Sequence, residues 1–550
     1  MNIKRKDTVT LRGVGIGAGS ACGRLKFYQR NAATVPKASS STPEIERERL
    51  REAREKAQAQ IGFLHGKALR EIGEKEAEIF EIHGMLLRDE DFLDLMEDLI
   101  AKGASAEAAA DGAAQQYAEI LRALPDPYLS ARAADIGDIA RQILTALQEK
   151  ESPTGENEAE AYILVADDLA PSETVLLDKS KILGFVTFFG TPNSHTAILA
   201  RAMGIPALIG VGEMEDSVNG EMGLLNACEG TLTVSPDEAQ LLSFRKKIGR
   251  ESELAREHEK YLRSLINKPA ITRGGRKLLI YANVGEAADV DSALLNGAEG
   301  IGLLRSEFLY LTLDRYPTEE ELFESYRSVV TKMEGKRVIV RTLDIGADKT
   351  ADYFGLQREE NPALGFRGVR LCLGRVPLFK TQLRAILRAS AYGSLSIMVP
   401  MIVCVEEVRH CRRLLGECMT ELKKEGKAFD PDPEFGIMVE TPAAALMSEE
   451  LAAEVDFFSV GTNDLLQYTL AADRQNAAVA PLCEENPEPV LRLISMASEA
   501  IHRHDGWIGI CGELAADLRL TQRFVDMGVD ELSVSAPYLL GVREKVTECK

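Results

Sequence analysis

The chain has little of what marks secreted, zinc-binding or nucleic-acid-binding proteins. It has one tryptophan, and its nine cysteines form no CxxC pair, which argues against both a disulfide framework and a zinc site. Lys and Arg number 65 against 86 Asp and Glu, and the net charge of −21 would repel nucleic acid. No apolar signal core follows Met1–Asp7, and no later run reaches membrane-spanning length. We therefore predict a cytoplasmic protein without nucleic-acid binding or membrane insertion.

The 550 residues suffice for several modules, and their pattern changes along the chain. Glycines among apolar residues over 8–29 predict short strands and tight turns. Helical periodicity over 43–148, broken near Gly103 and Pro125–Pro127, predicts a helical bundle inserted into an α/β unit. Strand patterns resume at 161–166, 182–189 and 207–209, and the unit closes near 231–235. A charged connecting helix is expected over 236–268.

From Leu278 onward, short apolar strands alternate with amphipathic helices. The strand candidates are 278–281, 300–304, 338–340, 397–399, 436–439, 457–460 and 508–510, with one more near 369–371. Eight such strands predict a (β/α)₈ TIM barrel, whose chemistry lies at the C-terminal ends of its strands. The predicted fold class is thus multidomain α/β, with the barrel as its last module.

Polar side chains follow these strands. They are Arg305, Arg341 with Asp344 and Lys349, Arg367, Glu440, Asn463, Asp464, Arg474 and Cys511. Arginines suit bidentate binding of phosphate and carboxylate, and two carboxylates suit Mg²⁺, so we predict a small phosphorylated carboxylic acid as substrate. The alternatives are arginines in surface ion pairs, carboxylates that only pair with arginines, and a Cys511 that is merely a small buried residue.

His195 stands in a turn-to-helix segment, Gly190–Gly210. Asn193 or Ser194 is a suitable N-cap, and Thr196–Met203 reads as a short helix ended by Gly204. A histidine at a helix N-terminus can stay neutral, act as a nucleophile and then carry a phosphoryl group. The alternative is a histidine that only caps or packs.

Four segments together resemble Enzyme I of the bacterial phosphotransferase system, and the resemblance covers nearly the whole chain. They are Ser194–Arg201, Val439–Ala445, Gly461–Leu465 and Cys511–Ala515. The resemblance implies a phosphotransferase that moves the phosphoryl group of phosphoenolpyruvate (PEP) onto His195, releases pyruvate, and then phosphorylates the small carrier protein HPr. This is the first step of sugar uptake by that system.

The resemblance also implies a role for each site residue. Glu440 and Asp464 would hold Mg²⁺, and Cys511 would protonate the enolate carbon of the departing pyruvate. The PEP-binding residues would be Arg305, Arg341, Asn463 and Arg474, with Arg367 and Lys349 nearby. The segment Ile79–Leu87 resembles the family's HPr-docking site, where we expect His83 to pack or dock rather than catalyse.

The expected domains follow from the same resemblance. Residues 1–29 and 149–235 would form the swivelling phosphohistidine domain, and 30–148 the helical HPr-binding domain. Residues 236–268 would be the linker helix, and 269–550 the PEP-binding barrel through which the chain forms a homodimer. Because His195 and the barrel site lie in different modules, we hypothesise that the linker acts as a hinge.

The chain departs from the family pattern at several positions. Phe188 stands where the family has Asp, Thr191 and Ala347 stand where it has Gly, and 17–21 lacks the usual Ser-Pro-Gly. Two alternatives stay open. One is a nucleotide-dependent relative such as pyruvate phosphate dikinase or PEP synthase, for whose additional domain the front of this chain has no room. The other is a regulator that binds HPr-like proteins without turnover.

Overall fold

The computed structural model describes residues 8–550 with a few gaps. The gaps are 18, 29–40, 72–73, 124–132, 149–159, 168, 170, 191–193, 213, 347–351, 358, 474–475, 477–478, 480–481 and 484–485. The expectations about Pro125–Pro127, Thr191, Ala347, Lys349 and Arg474, and about the side chain of His195, thus lie outside the described residues. The chain divides into two compact units, Met1–Ala255 and Arg256–Lys550.

The first unit is built on an eight-stranded sheet in the order β1-β8-β7-β3-β4-β5-β6-β2. Its strands are β1 Val9–Arg12, β2 Val14–Ile16, β3 Ser20–Phe27, β4 Tyr162–Ala166, β5 Ile182–Thr187, β6 Ala207–Ile209, β7 Met222–Asn226 and β8 Thr231–Val234. Strands β3 to β6 run parallel, and the outer pairs are antiparallel. The strands predicted near 161, 182, 207 and 231, and the short strands of the glycine-rich start, are confirmed.

A helical bundle is inserted between β3 and β4. It contains α1 Pro43–Glu71, α2 Glu74–Leu86, α3 Glu90–Ala101, α4 Ala106–Ala123 and α5 Ala133–Leu147. Leu64, Phe92 and Ile139 lie in its apolar core. The bundle is tied to α6, Pro171–Leu176, because the Ser172 hydroxyl donates to Asp138 at 2.6 Å. The predicted insertion is confirmed.

Two further helices of the predicted pattern are present. Helix α7, His195–Met203, starts after Ser194, whose Oγ accepts the Ala197 amide at 3.4 Å, and it ends at Gly204 with φ of 65°. Glycine adopts that left-handed conformation without steric cost. Helix α8, Glu238–Arg263, buries none of its residues, as expected of a charged connecting helix.

The second unit is a closed barrel of eight parallel strands. They are β10 Lys277–Val284, β11 Ile301–Leu304, β12 Val338–Arg341, β13 Leu395–Val399, β14 Phe435–Val439, β15 Phe457–Val460, β16 Trp507–Ile510 and β17 Glu531–Val534, preceded by the short β9 Ala270–Ile271. Strand β10 pairs with both β11 and β17, which closes the ring. The barrel prediction is confirmed.

One strand prediction is wrong. Residues 369–371 belong to a helix, Val369–Gly374, and the eighth strand is β17. A short apolar run does not by itself separate strand from buried helix, and here Gly368, with φ of 56°, leads directly into a helical turn. Strand β17 was missed because it begins with the acidic residue Glu531.

Helices surround the barrel and cover its apolar outer face. They are α9 Asp289–Leu295, α10 Glu307–Thr312, α11 Glu319–Lys332, α12 Val369–Gly374, α13 Val376–Ser390, α14 Val405–Lys424, α15 Pro442–Leu446, α16 Ser448–Ala452, α17 Thr462–Leu470, α18 Glu488–Arg503, α19 Thr521–Asp526 and α20 Leu539–Glu548. A separate apolar cluster, which includes Leu303, Met438 and Cys511, fills part of the barrel interior. No helix within the described residues is both long and apolar enough to cross a membrane.

Candidate active site

Six of the predicted residues that the structure describes lie at the C-terminal ends of the barrel strands. Arg305 follows β11, Arg341 ends β12, Glu440 follows β14 and Cys511 follows β16, while Asn463 and Asp464 lie in the first turn of α17, after β15. Arg367 departs from the prediction, because it follows no strand and lies in the long connection between β12 and α12. Its guanidinium group still reaches the open C-terminal end of the barrel, which we call the barrel mouth. There its Nη1 lies 3.8 Å from Asp464 Oδ1.

Two buried arginines are held by two carboxylates. The sequence placed Asp344 beside Arg341 without indicating a role for it, and it did not single out Glu307. Arg341 Nη2 donates to Glu307 Oε1 at 3.0 Å, and its Nη1 lies 3.4 Å from Asp344 Oδ2. Arg367 donates to both oxygens of Asp344, at 3.1 and 2.8 Å. Glu307 also accepts the Asp344 amide at 3.0 Å. The guanidinium groups are therefore oriented in advance.

The neighbouring carboxylates raise the pKa of both arginines and so favour their charged form. Burial alone would lower the pKa of Arg341, but Glu307, Asp344 and Glu440 raise it well above its ordinary value. Burial likewise opposes charge on Arg367, and Asp344 more than offsets it, so that pKa is also raised. Arg341 Nε is buried and has no hydrogen-bond partner among the described residues. A buried donor of this kind suits an anionic ligand.

Glu440 and Asp464 have the features of a divalent-cation site. Glu440 is fully buried, and its Oε1 accepts the Met401 amide at 2.6 Å, whereas its Oε2 has no donor in the described part of the chain. Burial, together with the charges of Asp464 and Asp344, raises the pKa of Glu440 to about 8. A side chain on Gly461 would fill the space beside Oε2, its Cβ only 2.9 Å from that oxygen.

That donor set fits Mg²⁺ better than a metal held by protein alone. The described residues contain no group of three or more His, Cys, Asp or Glu that could surround a cation. Mg²⁺ commonly takes one or two carboxylates and completes its shell with substrate oxygens and water. A free oxygen on Glu440 beside a second carboxylate meets that requirement.

Cys511 is placed as a protonated thiol. It is buried, and its Sγ donates to the Val460 carbonyl at 3.6 Å. Burial raises the pKa of Cys511 to about 12; Glu531 and Glu440 raise it, while Ser459 and Arg341 lower it. At neutral pH such a thiol keeps its proton, so it could donate that proton but would not act as a thiolate nucleophile.

Asn463 is engaged by Glu513, a residue that the sequence reasoning missed. Asn463 Nδ2 donates to Glu513 Oε1 at 3.1 Å, and its Oδ1 accepts the Glu513 amide at 2.8 Å. This pair joins the start of α17 to the loop that begins with Cys511. Arg305 is exposed, and its side chain has no partner among the residues that the structure describes.

The approach to His195 begins in an apolar core. Phe188 is 9% exposed and packs against Phe27, with ring centroids 5.8 Å apart. The position that is acidic in the family pattern is therefore an inward-facing core position here. Next to His195, Thr196 Oγ1 accepts the Leu169 amide at 3.2 Å and anchors the start of α7.

His83 is also inside the protein. It is 1% exposed, with Nε2 3.7 Å from Asp135 and Nδ1 3.9 Å from Asp138. This burial supports packing over both docking and catalysis.

Signals for the missed residues were weak. Glu307 is an acid at the first position of a helix, which is common for dipole reasons alone, and Glu513 stands in a polar loop. Glu307 contacts Arg341, 34 residues away along the chain, and Glu513 contacts Asn463, 50 residues away.

Three family models match the chain. They are the PEP-utilising enzyme N-terminal model over residues 12–132, the mobile-domain model over 158–230 and the PEP-binding-domain model over 259–550. The fold and the site thus define a PEP-utilising enzyme.

Curated relatives narrow this class. Phosphoenolpyruvate-protein phosphotransferase of Priestia megaterium is 39% identical over 543 residues, 98% of this chain and 94% of the relative. The enzyme of the same name from Bacillus subtilis is 38% identical over 540 residues, with the same two coverages. A solution structure described as Enzyme I (nEIt) aligns with 44% of this chain and 99% of its own, at 33% identity and a TM-score of 0.39. The chain belongs to the phosphoenolpyruvate-protein phosphotransferase family, whose members transfer a phosphoryl group from PEP to protein.

Proposed function

We propose that this enzyme takes the phosphoryl group of PEP onto His195 with Mg²⁺, releases pyruvate, and passes the group to HPr. The observation that carries the proposal is the barrel mouth itself, where two buried arginines, a carboxylate with a free oxygen and a protonated thiol lie together. Phosphoryl transfer mainly requires positioning and charge neutralisation, which this set provides.

The arginines bind the substrate. Arg341 presents its unpartnered Nε, and Arg305 presents a free guanidinium at the rim. Arg367 supplies charge beside Asp464, and Lys349 and Arg474 complete the proposed PEP-binding set. Asn463 exchanges its Glu513 partner for a substrate oxygen.

Glu440 and Asp464 hold the cation. When bound, Mg²⁺ neutralises charge on the phosphoryl oxygens. Cys511 holds its proton near the substrate carbon, because burial keeps the thiol neutral, and donates it to the enolate after the phosphoryl group has left.

His195 receives the phosphoryl group at the first residue of α7. The free amides and dipole of that helix end, capped by Ser194, favour the resulting anion. We assign the domains with the boundaries predicted from sequence, with α8 as the hinge between the phosphohistidine domain and the barrel.

HPr docks on the helical bundle. Phe63 and Met85, on α1 and α2, expose 56% and 62% of their surface, as an apolar docking face requires. The barrel is the proposed dimerisation domain; Leu446 and Met496 are 63% and 43% exposed on its helices.

Labelled PEP tests the reaction. Native protein and His195→Ala are incubated with Mg²⁺ and PEP carrying ³²P, and purified HPr is then added. Native protein should acquire acid-labile, base-stable label and pass it to HPr, whereas the variant should acquire none. Label that persists in the variant would reject His195, and failure to pass it on would reject HPr.

A further inference from the structure

The barrel interior contains a polar cluster that the proposed reaction does not use. We call the side chains of Asn283, Ser459, Glu531 and Ser533 the interior polar cluster. Ser459, Glu531 and Ser533 are fully buried. Within the described residues, no hydrogen-bond partner is found for Asn283 Oδ1, Ser459 Oγ, Ser533 Oγ or either carboxyl oxygen of Glu531.

These side chains come from neighbouring strands at similar heights. Across the sheet, Ser459 pairs with Gly509, and Gly509 pairs with Glu531. Glu531 Oε2 occupies the place that a Cβ on Gly509 would take, so the carboxyl group lies over Gly509. A Cβ on Gly302 would collide with both Glu531 Oε1 and Ser533 Oγ. These two oxygens therefore lie close enough for one water molecule to bridge them.

The cluster extends to Cys511. Ser459 stands beside the Cys511 thiol and favours its charged form, although its hydroxyl makes no hydrogen bond of full geometry there. Asn283 Nδ2 donates to the Cys511 carbonyl at 2.9 Å and lies 3.3 Å from the Ser533 carbonyl. Two members of the interior polar cluster, Ser459 and Asn283, therefore lie next to Cys511.

Burial favours the neutral form of Glu531. Burial raises the pKa of its carboxyl group well above the ordinary value, opposed by Arg337. Arg337 is itself paired with Glu434 at 2.9 Å, so it does not compensate a charge on Glu531. A neutral carboxylic acid has an O–H to donate, and buried polar groups without partners normally bind internal water.

We propose that Glu531 is the proton reserve of Cys511, connected to it through Ser459 and internal water. This inference rests on the proposed role of Cys511 as the acid. The S–H bond of Cys511 breaks, the electron pair of the enolate double bond forms the new C–H bond of pyruvate, and a thiolate remains. The Glu531 O–H proton then moves through the internal water to Ser459, which gives its own proton to the thiolate. Glu531, left as a carboxylate, regains a proton from water after pyruvate has gone.

The reserve is needed for the second turnover and not for the first. Rapid-mixing measurements of pyruvate per enzyme, with saturating PEP, Mg²⁺ and excess HPr, separate the two. In Glu531→Gln, which keeps the size of the side chain but cannot release a carboxyl proton, the first equivalent of pyruvate should form at the native rate. Later equivalents should be slower by about tenfold or more.

Two serines provide a matched pair. Ser459→Ala should reproduce the split between first and later turnovers, and it keeps the test available if the glutamate variant does not fold. Ser396, equally buried on β13, donates to Glu434 at 2.7 Å, and Ser396→Ala should leave both phases at native rates. A loss of packing alone would slow the first turnover as well.

The outcomes separate this inference from the proposed function. If Cys511→Ala slows the first turnover while Glu531→Gln and Ser459→Ala show native later turnovers, only the proton reserve is rejected. If Cys511→Ala leaves the first turnover unchanged, the proposed acid is wrong and the reserve is rejected with it. Slow later turnovers in both relay variants, with a normal first turnover, support the inference.

Discussion

Arg367 and Asp344 form a two-point ion pair at the barrel mouth, with Nε 3.1 Å from Oδ1 and Nη2 2.8 Å from Oδ2. The same carboxylate lies 3.4 Å from Arg341, so one acid orients two cations. Asp344 is buried, so water competes little for these contacts with the two guanidinium groups. A site whose side chains are already oriented loses less conformational entropy when it binds a ligand.

Asp344→Asn should therefore weaken PEP binding. The asparagine amide has one oxygen where the carboxylate has two, and it balances the charges of the two guanidinium groups less well. The affinity for PEP should therefore fall about tenfold or more. Calorimetric titration with PEP measures this. Glu449→Gln, which disrupts the exposed pair with Arg503, is the control and should bind PEP normally. Native affinity in Asp344→Asn would show that the arginines need no fixed partner.

Glu440→Gln should raise the Mg²⁺ requirement. The amide keeps an oxygen for the Met401 amide but loses the negative charge that a cation needs, so phosphorylation of His195 should slow by more than about a hundredfold at limiting Mg²⁺. Initial rates across a Mg²⁺ titration are the measurement. Asp344→Asn should shift the PEP dependence much more than the Mg²⁺ dependence, and identical Mg²⁺ curves for Glu440→Gln and native protein would reject the ligand assignment.

Ser194→Ala should slow phosphorylation of His195. Loss of the N-cap costs about 1 kcal/mol of helix stability and loosens the first turn of α7, where the histidine stands. Thr318→Ala removes an N-cap from α11, on the barrel, and should cost similar stability without slowing phosphorylation. Ser194→Thr should restore the rate, since threonine also caps; equal rates in all variants would refute the role of this cap.

Phe188→Asp, which restores the acid of the family pattern, should destabilise the first unit. The aromatic contact with Phe27 is lost and a charge is buried, so unfolding should become easier by about 3 to 5 kcal/mol. Phe188→Leu should cost much less. Urea unfolding followed by circular dichroism reports both units, whereas Trp507 fluorescence reports the barrel alone. An aspartate variant as stable as native protein would show that the position tolerates an acid.

Alkaline pH should weaken the barrel through its buried thiols. Burial raises the pKa of Cys411 from 9.0 to about 12, so between these values the folded chain keeps a proton that the unfolded chain has lost. The stabilisation is complete below pH 9 and falls as pH rises, by about 1.4 kcal/mol per pH unit for each such thiol. The free energy of unfolding, measured in urea at several pH values, should fall less steeply with pH in Cys411→Ala than in native protein. In Cys228→Ala, which changes an exposed cysteine, it should fall as steeply as in native protein.

The periodic parts of the chain were predictable. Regular spacing predicted the helical insertion, the connecting helix and seven of the eight barrel strands, because those patterns record which face of each element is buried. The eighth strand was missed at Glu531, where an acid enters the barrel interior. Sequence reasoning expects apolar residues there, so the exception could not be read locally.

The site was predictable only in its strand-end members. Arg305, Arg341, Glu440 and Cys511 follow strands, and a parallel barrel brings such positions to one end. Arg367 reaches the mouth from a loop, and Glu307 and Glu513 act through partners distant in sequence. The loop path and side-chain pairing depend on packing between distant segments, which no local pattern encodes.

By itself the sequence determined the class of fold, the order of modules, and the presence of a histidine at a helix start and of acids and arginines after strands. Short-range periodicity and turn chemistry carry that information. Only the tertiary structure decided that Asp344 joins two arginines, that Glu440 keeps one oxygen free, and that Phe188 and Glu531 face inward. Burial, and the charges that burial places together, are properties of the whole fold.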